Sequence, residues 1–270
     1  MKNIYSLMIL LAGLPLFSSA QDAGIFKANH IKIAVSCLFN DKKHLMDSCA
    51  YDEEGRLVFC RVYNLFKEND YEDKRYTYNN AGLLTKSVSY DMDGRPWLTD
   101  SIGFDAENRR ISEKVYRNTN GQVFMDKKMR YQKNRVDIED TNSSNVFLRT
   151  YDPQDRLATE TLYRDTAVIE KTTYTYDGKL KVKKEFKGAV LYKVSSEDGS
   201  FREEITYQNG VVVGKVQVKR SGAEEEKLIF ENGVAVKKEV TTFHANGLKD
   251  AIKYYERGKY YQHLQYEYSR

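Results

Sequence analysis

The chain has 270 residues with 43 Lys and Arg against 39 Asp and Glu, a net charge of +4, a mean hydropathy of −0.67, and 21 Tyr and 12 Phe. Acidic and basic residues are interspersed, which excludes the one-sided basic footprint of a nucleic-acid or membrane-surface binder. So polar a chain with so many aromatics implies a hydrated surface over a core built on tyrosine.

Residues 1–20 carry Lys2, an apolar run from Ile4 to Phe17, and Ser18-Ser19-Ala20 before Gln21. This reads as a secretory signal peptide cleaved near Gln21. Gly13 and Pro15 interrupt the run, which is shorter than the about 20 apolar residues of a membrane-spanning helix. No cysteine follows it to carry a lipid. The expectation is a secreted or periplasmic protein with no integral membrane segment after cleavage, and a single β-repeat domain over 21–270 with a possible subdivision in the loop 132–150.

Residues 21–29 read as a flexible lead-in and His30 to Cys37 as a first strand. Cys49 and Cys60 flank the turn from Asp52 to Gly55, and a register pairing Tyr51 with Val58 sets them opposite each other. An oxidising compartment then predicts a Cys49–Cys60 disulfide with Cys37 left over, while Cys37 with either partner stays open. His44 alone, without a C-x-x-C, makes a zinc site the weaker reading.

From Asp52 onward, Asn-, Asp- and Gly-rich turns recur at spacings of about 10 to 15 residues, as in antiparallel hairpins. Between turns, an apolar residue and a following aromatic stand six positions apart: Leu57 and Tyr63, Leu84 and Tyr90, Leu157 and Tyr163, Val168 and Tyr174, Leu180 and Phe186, Phe201 and Tyr207, Leu248 and Tyr254. An even separation in a strand predicts one shared, buried face. The fold expected is all-β, an antiparallel meander of about 14 short strands in hairpin repeats, curled into a barrel, a shell or a two-layer sheet. No stretch after the signal peptide has a helical period, so no helix is expected to cover it. Residues 131–151 read as a long loop. Val211-Val212-Val213 reads as a buried strand and 221–226 as a charged hairpin tip.

The segments Tyr51-Asp52-Glu53-Glu54-Gly55-Arg56-Leu57, Tyr90 to Arg95 and Tyr151 to Leu157 resemble the YD repeats of Rhs and teneurin-type proteins. That resemblance implies β-hairpin arrays that curl into a shell. Later copies such as Tyr207 to Gly214 resemble the MORN-like repeats of bacterial antitoxin-type proteins. A short exported repeat chain is also similar to the small secreted repeat proteins of Bacteroidota-type bacteria. Rhs shells are far longer and end in a toxin domain, whereas here the repeat still runs at Tyr268, so the resemblance implies fold rather than toxin encapsulation.

No H-E-x-x-H, G-x-S-x-G, P-loop or dinucleotide fingerprint occurs. His30, His44, His244 and His263 are scattered. Asp91-Met92-Asp93-Gly94 offers two carboxylates to calcium, but Arg95 stands at the third ligand position and the closing Glu is lacking, so the tetrad reads as a turn. The expectation is therefore non-enzymatic, without cofactor or metal: a binding or structural module of the bacterial envelope or extracellular space for an unknown protein or glycan. The alternatives are an antitoxin or immunity-like protein that neutralises a toxin, and a glycan-binding or glycan-directed enzyme. Trp97, Tyr255, Tyr260, Tyr261, Tyr266 and Tyr268 are the candidate binding residues, as aromatics that the six-residue spacing leaves off the buried face. An outer-membrane barrel fits less well, since its strands run about 9 to 11 residues and bear an apolar outer band.

Overall fold

The computed structural model describes residues 20–40, 42–67 and 70–269. The predicted signal peptide, save Ala20, and Asp41 of the predicted Asn40-Asp41 turn lie outside the described residues.

Residues read as a flexible lead-in form a helix, α1 (Ala20–Ala28). It closes in a Schellman turn: the Ile31 N–H donates to the Phe26 carbonyl at 2.9 Å and the His30 N–H to Lys27 at 3.1 Å, with His30 at φ 55°. His30 takes the left-handed position usual after a helix end, which delays the first strand to Ile33. The helix is under three turns long and too short to show a period, which is why the sequence hid it.

Twenty strands follow. The first five are β1 (Ile33–Phe39), β2 (Lys43–Tyr51), β3 (Leu57–Tyr63), β4 (Tyr71–Tyr78) and β5 (Leu84–Tyr90). Next come β6 (Pro96–Phe104), β7 (Arg110–Arg117), β8 (Val123–Gln132), β9 (Arg135–Asp140) and β10 (Asn145–Tyr151). The third group is β11 (Leu157–Arg164), β12 (Ala167–Asp177), β13 (Leu180–Lys187), β14 (Val190–Glu197) and β15 (Phe201–Gln208). The last is β16 (Val211–Ser221), β17 (Glu224–Glu231), β18 (Val234–Phe243), β19 (Lys249–Glu256) and β20 (Lys259–Ser269).

Each strand pairs antiparallel with the next, and β1 pairs with β20 from Ile33↔Ser269 to Phe39↔His263, closing the meander into a barrel without edges. The strands number twenty rather than about fourteen. In particular, β9 and β10 fill the stretch read as a long loop and pair with β8 and β11.

Curvature comes from a repeated defect. Thirteen hairpins carry a β-bulge, and in all but the β1–β2 hairpin the single residue opposed by two is the Tyr or Phe at the close of the preceding strand. A bulge adds local right-handed twist, which a sheet needs in order to close. It also resets side-chain alternation. Leu57 faces inward opposite Tyr51, Val58 takes the extra place, and Tyr63 then points outward opposite Tyr71. The pairs at Leu84, Leu157 and Val168 are split in the same way. Leu180 with Phe186 and Phe201 with Tyr207 have no bulge between them and do share a face, but it is the outer one. Only Leu248 and Tyr254 meet in the core as expected.

That core fills one sector. Phe26 of α1 (3% exposed) packs 4.3 Å from the Tyr51 ring, among Ala34, Leu57, Leu264 and Tyr266. Away from α1 the inner wall mixes the buried Val136, Ile138 and Val218 with ion pairs, Lys183–Glu185 at 2.6 Å, Lys193–Glu204 at 2.6 Å and Lys227–Glu239 at 3.0 Å, all partly exposed. Twenty strands enclose a wide lumen that water reaches.

Because the meander is strictly antiparallel, alternate turns lie at opposite rims. The rim that holds α1 carries five of six turns with one backbone pattern, at 52–56, 79–83, 105–109, 152–156 and 244–248, in which the first N–H bonds the fifth carbonyl. At three of them the YD-like motif explains itself. Asp152 Oδ1 accepts the Gln154 and Arg156 N–H groups at 2.9 Å, and its Oδ2 accepts Arg156 Nε at 2.8 Å. The Arg156 guanidinium lies 4.5 Å from the Tyr176 ring, whose hydroxyl donates to the Leu157 carbonyl at 2.9 Å. Asp52-Arg56-Tyr78 and Asp105-Arg109-Tyr131 repeat it. Burial works against the Asp105 and Asp152 charges, but the Arg partners and backbone N–H groups prevail and hold both carboxyls below the usual range.

The opposite rim is apolar. Each of its ten hairpins exposes a large apolar residue within three positions of the turn: Leu45, Phe66, Met92, Phe124 and Val146 from β1 to β10, then Val168, Val190, Val211, Val234 and Tyr260. Val211-Val212-Val213, read as a buried strand, is 65%, 50% and 38% exposed. At the α1 rim, only Ile33, Ile111 and Leu180 among the described residues are comparably bare.

Candidate functional site

Closure of β1 on β20 assembles an aromatic site on the outer wall. Leu264 and Tyr266 point inward against the α1 sector, so His263 and Gln265 between and beside them point outward. Their cross-strand partners are Phe39 and Cys37 on β1 and Lys253 and Ala251 on β19. The Phe39 ring stacks on the His263 imidazole at 4.8 Å and 3°. The Tyr260 hydroxyl hydrogen-bonds His263 Nδ1, and the Tyr255 and Tyr260 rings meet edge to face at 5.8 Å.

The Tyr255, Tyr260 and His263 rings, with Thr242, Asp250, Lys253 and Gln265, line a shallow depression of about 500 Å³, and Phe39 backs His263 from outside it. Its polar floor is fixed: the Gln265 amide donates to Asp250 Oδ1 and to the Asp250 carbonyl, both at 3.0 Å, and the Thr242 hydroxyl donates to Asp250 Oδ2 at 3.2 Å. Among the described residues, Lys253 makes no ion pair. Some other outward aromatics are covered by cations, with Arg61 3.9 Å from the Tyr71 ring and Arg75 4.8 Å from Tyr90. Among the described residues, none covers Tyr255 or Tyr260.

Of the six candidate aromatics, the structure brings Tyr255 and Tyr260 together here. Tyr261 occupies the adjoining bulge, 6.2 Å from the inward Tyr254, and burial raises its hydroxyl pKa, aided by Glu239. Trp97 stands apart on β6, its carbonyl accepting the Asn118 N–H at 3.0 Å. Tyr266 and Tyr268 are core residues rather than surface ones: Tyr266 is 3% exposed, and Tyr268 packs 6.1 Å from Phe26 with its hydroxyl on the Lys249 carbonyl at 2.9 Å. Their even spacing from Leu264 was the available signal. Phe39 and His263 went unread because only closure joins them.

The Cys49–Cys60 disulfide forms between directly opposed residues, with Tyr51 facing Leu57 rather than Val58 because of the bulge. Cys37 is a free, buried thiol on the outer face, opposite Gln265. Burial raises its pKa against the pull of Lys43, which itself bonds Glu267 at 2.7 Å. Among the described residues, no cluster of His, Cys, Asp and Glu is arranged to hold a metal ion, and the Asp91 carboxylate is used by its turn, accepting the Arg95 N–H at 2.8 Å.

No protein-family model and no curated protein matches the chain. Similar solved structures include the TcdB2-TccC3 crystal structure, at 13% identity and a TM-score of 0.34 over 86% of this chain and 17% of that one. They also include porin-like proteins of Bacteroides uniformis, at 9% identity and a TM-score of 0.35 over 88% of this chain and 96% of that one, and of Bacteroides vulgatus, at 9% and 0.25 over 88% and 98%. The chain thus spans about a sixth of the TcdB2-TccC3 chain it resembles, 17% of its length.

Proposed function

We propose that this barrel is an exported, non-enzymatic binding module, and that its ligand is a carbohydrate held against the outer wall of β19, β20 and β1. The carrying observation is the pair of uncovered tyrosines, Tyr255 and Tyr260, beside the Phe39–His263 stack and the Lys253, Gln265 and Asp250 polar groups. A pyranose ring has apolar C–H faces that lie on aromatic rings and hydroxyls that bond to flanking amides, cations and carboxylates, so flat rings ringed by polar groups suit it. Among the described residues, Asp250 is the one carboxylate lining the depression, while glycoside hydrolysis calls for two across the bond; this favours binding over cleavage.

Export rests on residues 1–20 and on the Cys49–Cys60 disulfide. Water on both sides of the wall is favoured by outward ion pairs at Arg61–Asp73, Glu203–Lys215 and Lys43–Glu267, since charge on a lipid-facing strand is costly.

Affinity electrophoresis of the purified protein through gels holding soluble glucans, mannans or peptidoglycan fragments tests the reading. The protein should be retarded by at least one of them. Tyr255→Ala should weaken retention by roughly 3- to 10-fold, and Trp97→Ala should leave it unchanged. Retention by none, or retention indifferent to Tyr255→Ala, contradicts the assignment.

A further inference from the structure

We infer that the apolar rim is an interface between two copies of this chain, docked rim to rim about a two-fold axis. Setting aside Tyr260 of the carbohydrate site, nine of the ten hairpins at the rim away from α1 bear an exposed apolar side chain within three positions of the turn, with Phe66 at 71% and Val211 and Val234 at 65% exposure. Scattered apolar residues are normal on a surface, but a continuous ring of them marks an interaction site.

The area matches a dimer. Weighted by their exposure, these nine apolar residues present on the order of 900 Å², against about 800 Å² that each partner buries in a standard stable interface. The outline also selects the partner. A closed ring is met at every tip only by a surface of the same perimeter, and a second copy turned over supplies that surface in an isologous contact.

The charges between the tips agree. Arg95, Lys187 and Arg257 stand on this rim beside Asp93, Glu231 and Glu256. Mixed signs let two identical rims approach without net repulsion, whereas docking on an anionic lipid surface draws on a basic excess. In such a dimer, two lumens join into one chamber with an α1 at each far end.

Sedimentation velocity of the purified protein at concentrations up to about 100 μM tests this. The wild type should sediment as a dimer. The double substitution Val211→Glu with Val234→Glu, which alters exposed tips alone, should raise the dissociation constant by about tenfold or more with an unchanged circular dichroism spectrum and melting temperature. Ile111→Glu, at the other rim, should leave the dimer intact. A wild type that stays monomeric, or a dimer indifferent to the double substitution, overturns the proposal. So does flotation of the wild type with phosphatidylcholine vesicles that the double variant abolishes, which assigns the ring to lipid. The variants avoid Tyr255 and Tyr260, and Tyr255→Ala should leave the mass unaltered, so failure of the carbohydrate reading and failure of this one are separable.

Discussion

At the rim that holds α1, Leu57 and Leu248 stand at the ends of their turns and are 8% and 5% exposed; at the opposite rim, Val211 and Val234 stand just after theirs and are 65% exposed. The local sequence is alike in both places, a turn of Asn, Asp or Gly followed by an apolar residue. What differs is the cover. Near α1, the helix backbone packs so closely on Gly55 that a Cβ there would lie 2.2 Å from the Ala23 carbonyl oxygen. At φ 73° the residue needs glycine twice over. The Asp-Arg-Tyr clamps then fasten further turns of the same rim. Nothing of the described chain lies over the other rim. Burial after a turn is thus decided by tertiary cover and not by the hairpin motif.

Substitutions can break this contrast. Phe26→Ala removes the side chain that joins α1 to the wall and should cost about 3 to 5 kcal/mol in denaturant unfolding, whereas Val211→Ala should stay within about 0.5 kcal/mol. Equal losses at both sites would undo the distinction.

Asp47 comes next. It faces inward opposite Ser36, is 3% exposed, and burial pushes its pKa up to about 6. A carboxyl raised in the folded state leaves stability undiminished below the unfolded value near 4 and erodes it as the pH rises through about 6. Asp47→Asn should therefore stabilise the protein by about 2 to 3 kcal/mol at pH 8 and by little at pH 4. Parallel stability curves for the two proteins across that window would refute the burial account.

Asp52→Ala deletes one clamp below the helix and should cost about 1 to 2 kcal/mol; the check is the melting temperature together with helix proteolysis near Lys27, which bonds Glu54 of the same turn. Smallest is Arg257→Asn at the open rim. Arg257 sits at φ 47°, where Asn209 and Asn232 stand in the matching turns. The exchange should add a few tenths to about 1 kcal/mol by chemical denaturation, and a loss would mean that Arg257 has a contact of its own to give up.

The all-β class, most turns and the Cys49–Cys60 pair were legible because glycine, asparagine and aspartate at turns and cysteines across a hairpin act locally. The faces were not. A bulge at the closing aromatic of twelve hairpins shifts parity by one, so Leu57 and Tyr63 part although six residues separate them. Within the site, Tyr255 and Tyr260 were readable as tyrosines near one turn. Tyr266 and Tyr268 were misplaced because the core sector depends on α1, which carries no periodic signal, and Phe39 and His263 lie 224 residues apart, joined only where the last strand meets the first.

That meeting is the claim on which the site, the lumen and both rims depend, and one substitution reaches it. Cys37 is a free thiol directly opposite Gln265 in the β1–β20 pair. After oxidation of the Gln265→Cys protein, thiol titration and peptide mapping should find no free thiol and a cross-link joining position 265 to Cys37. Two free thiols, with the Cys49–Cys60 bond intact, would mean that the sheet does not close.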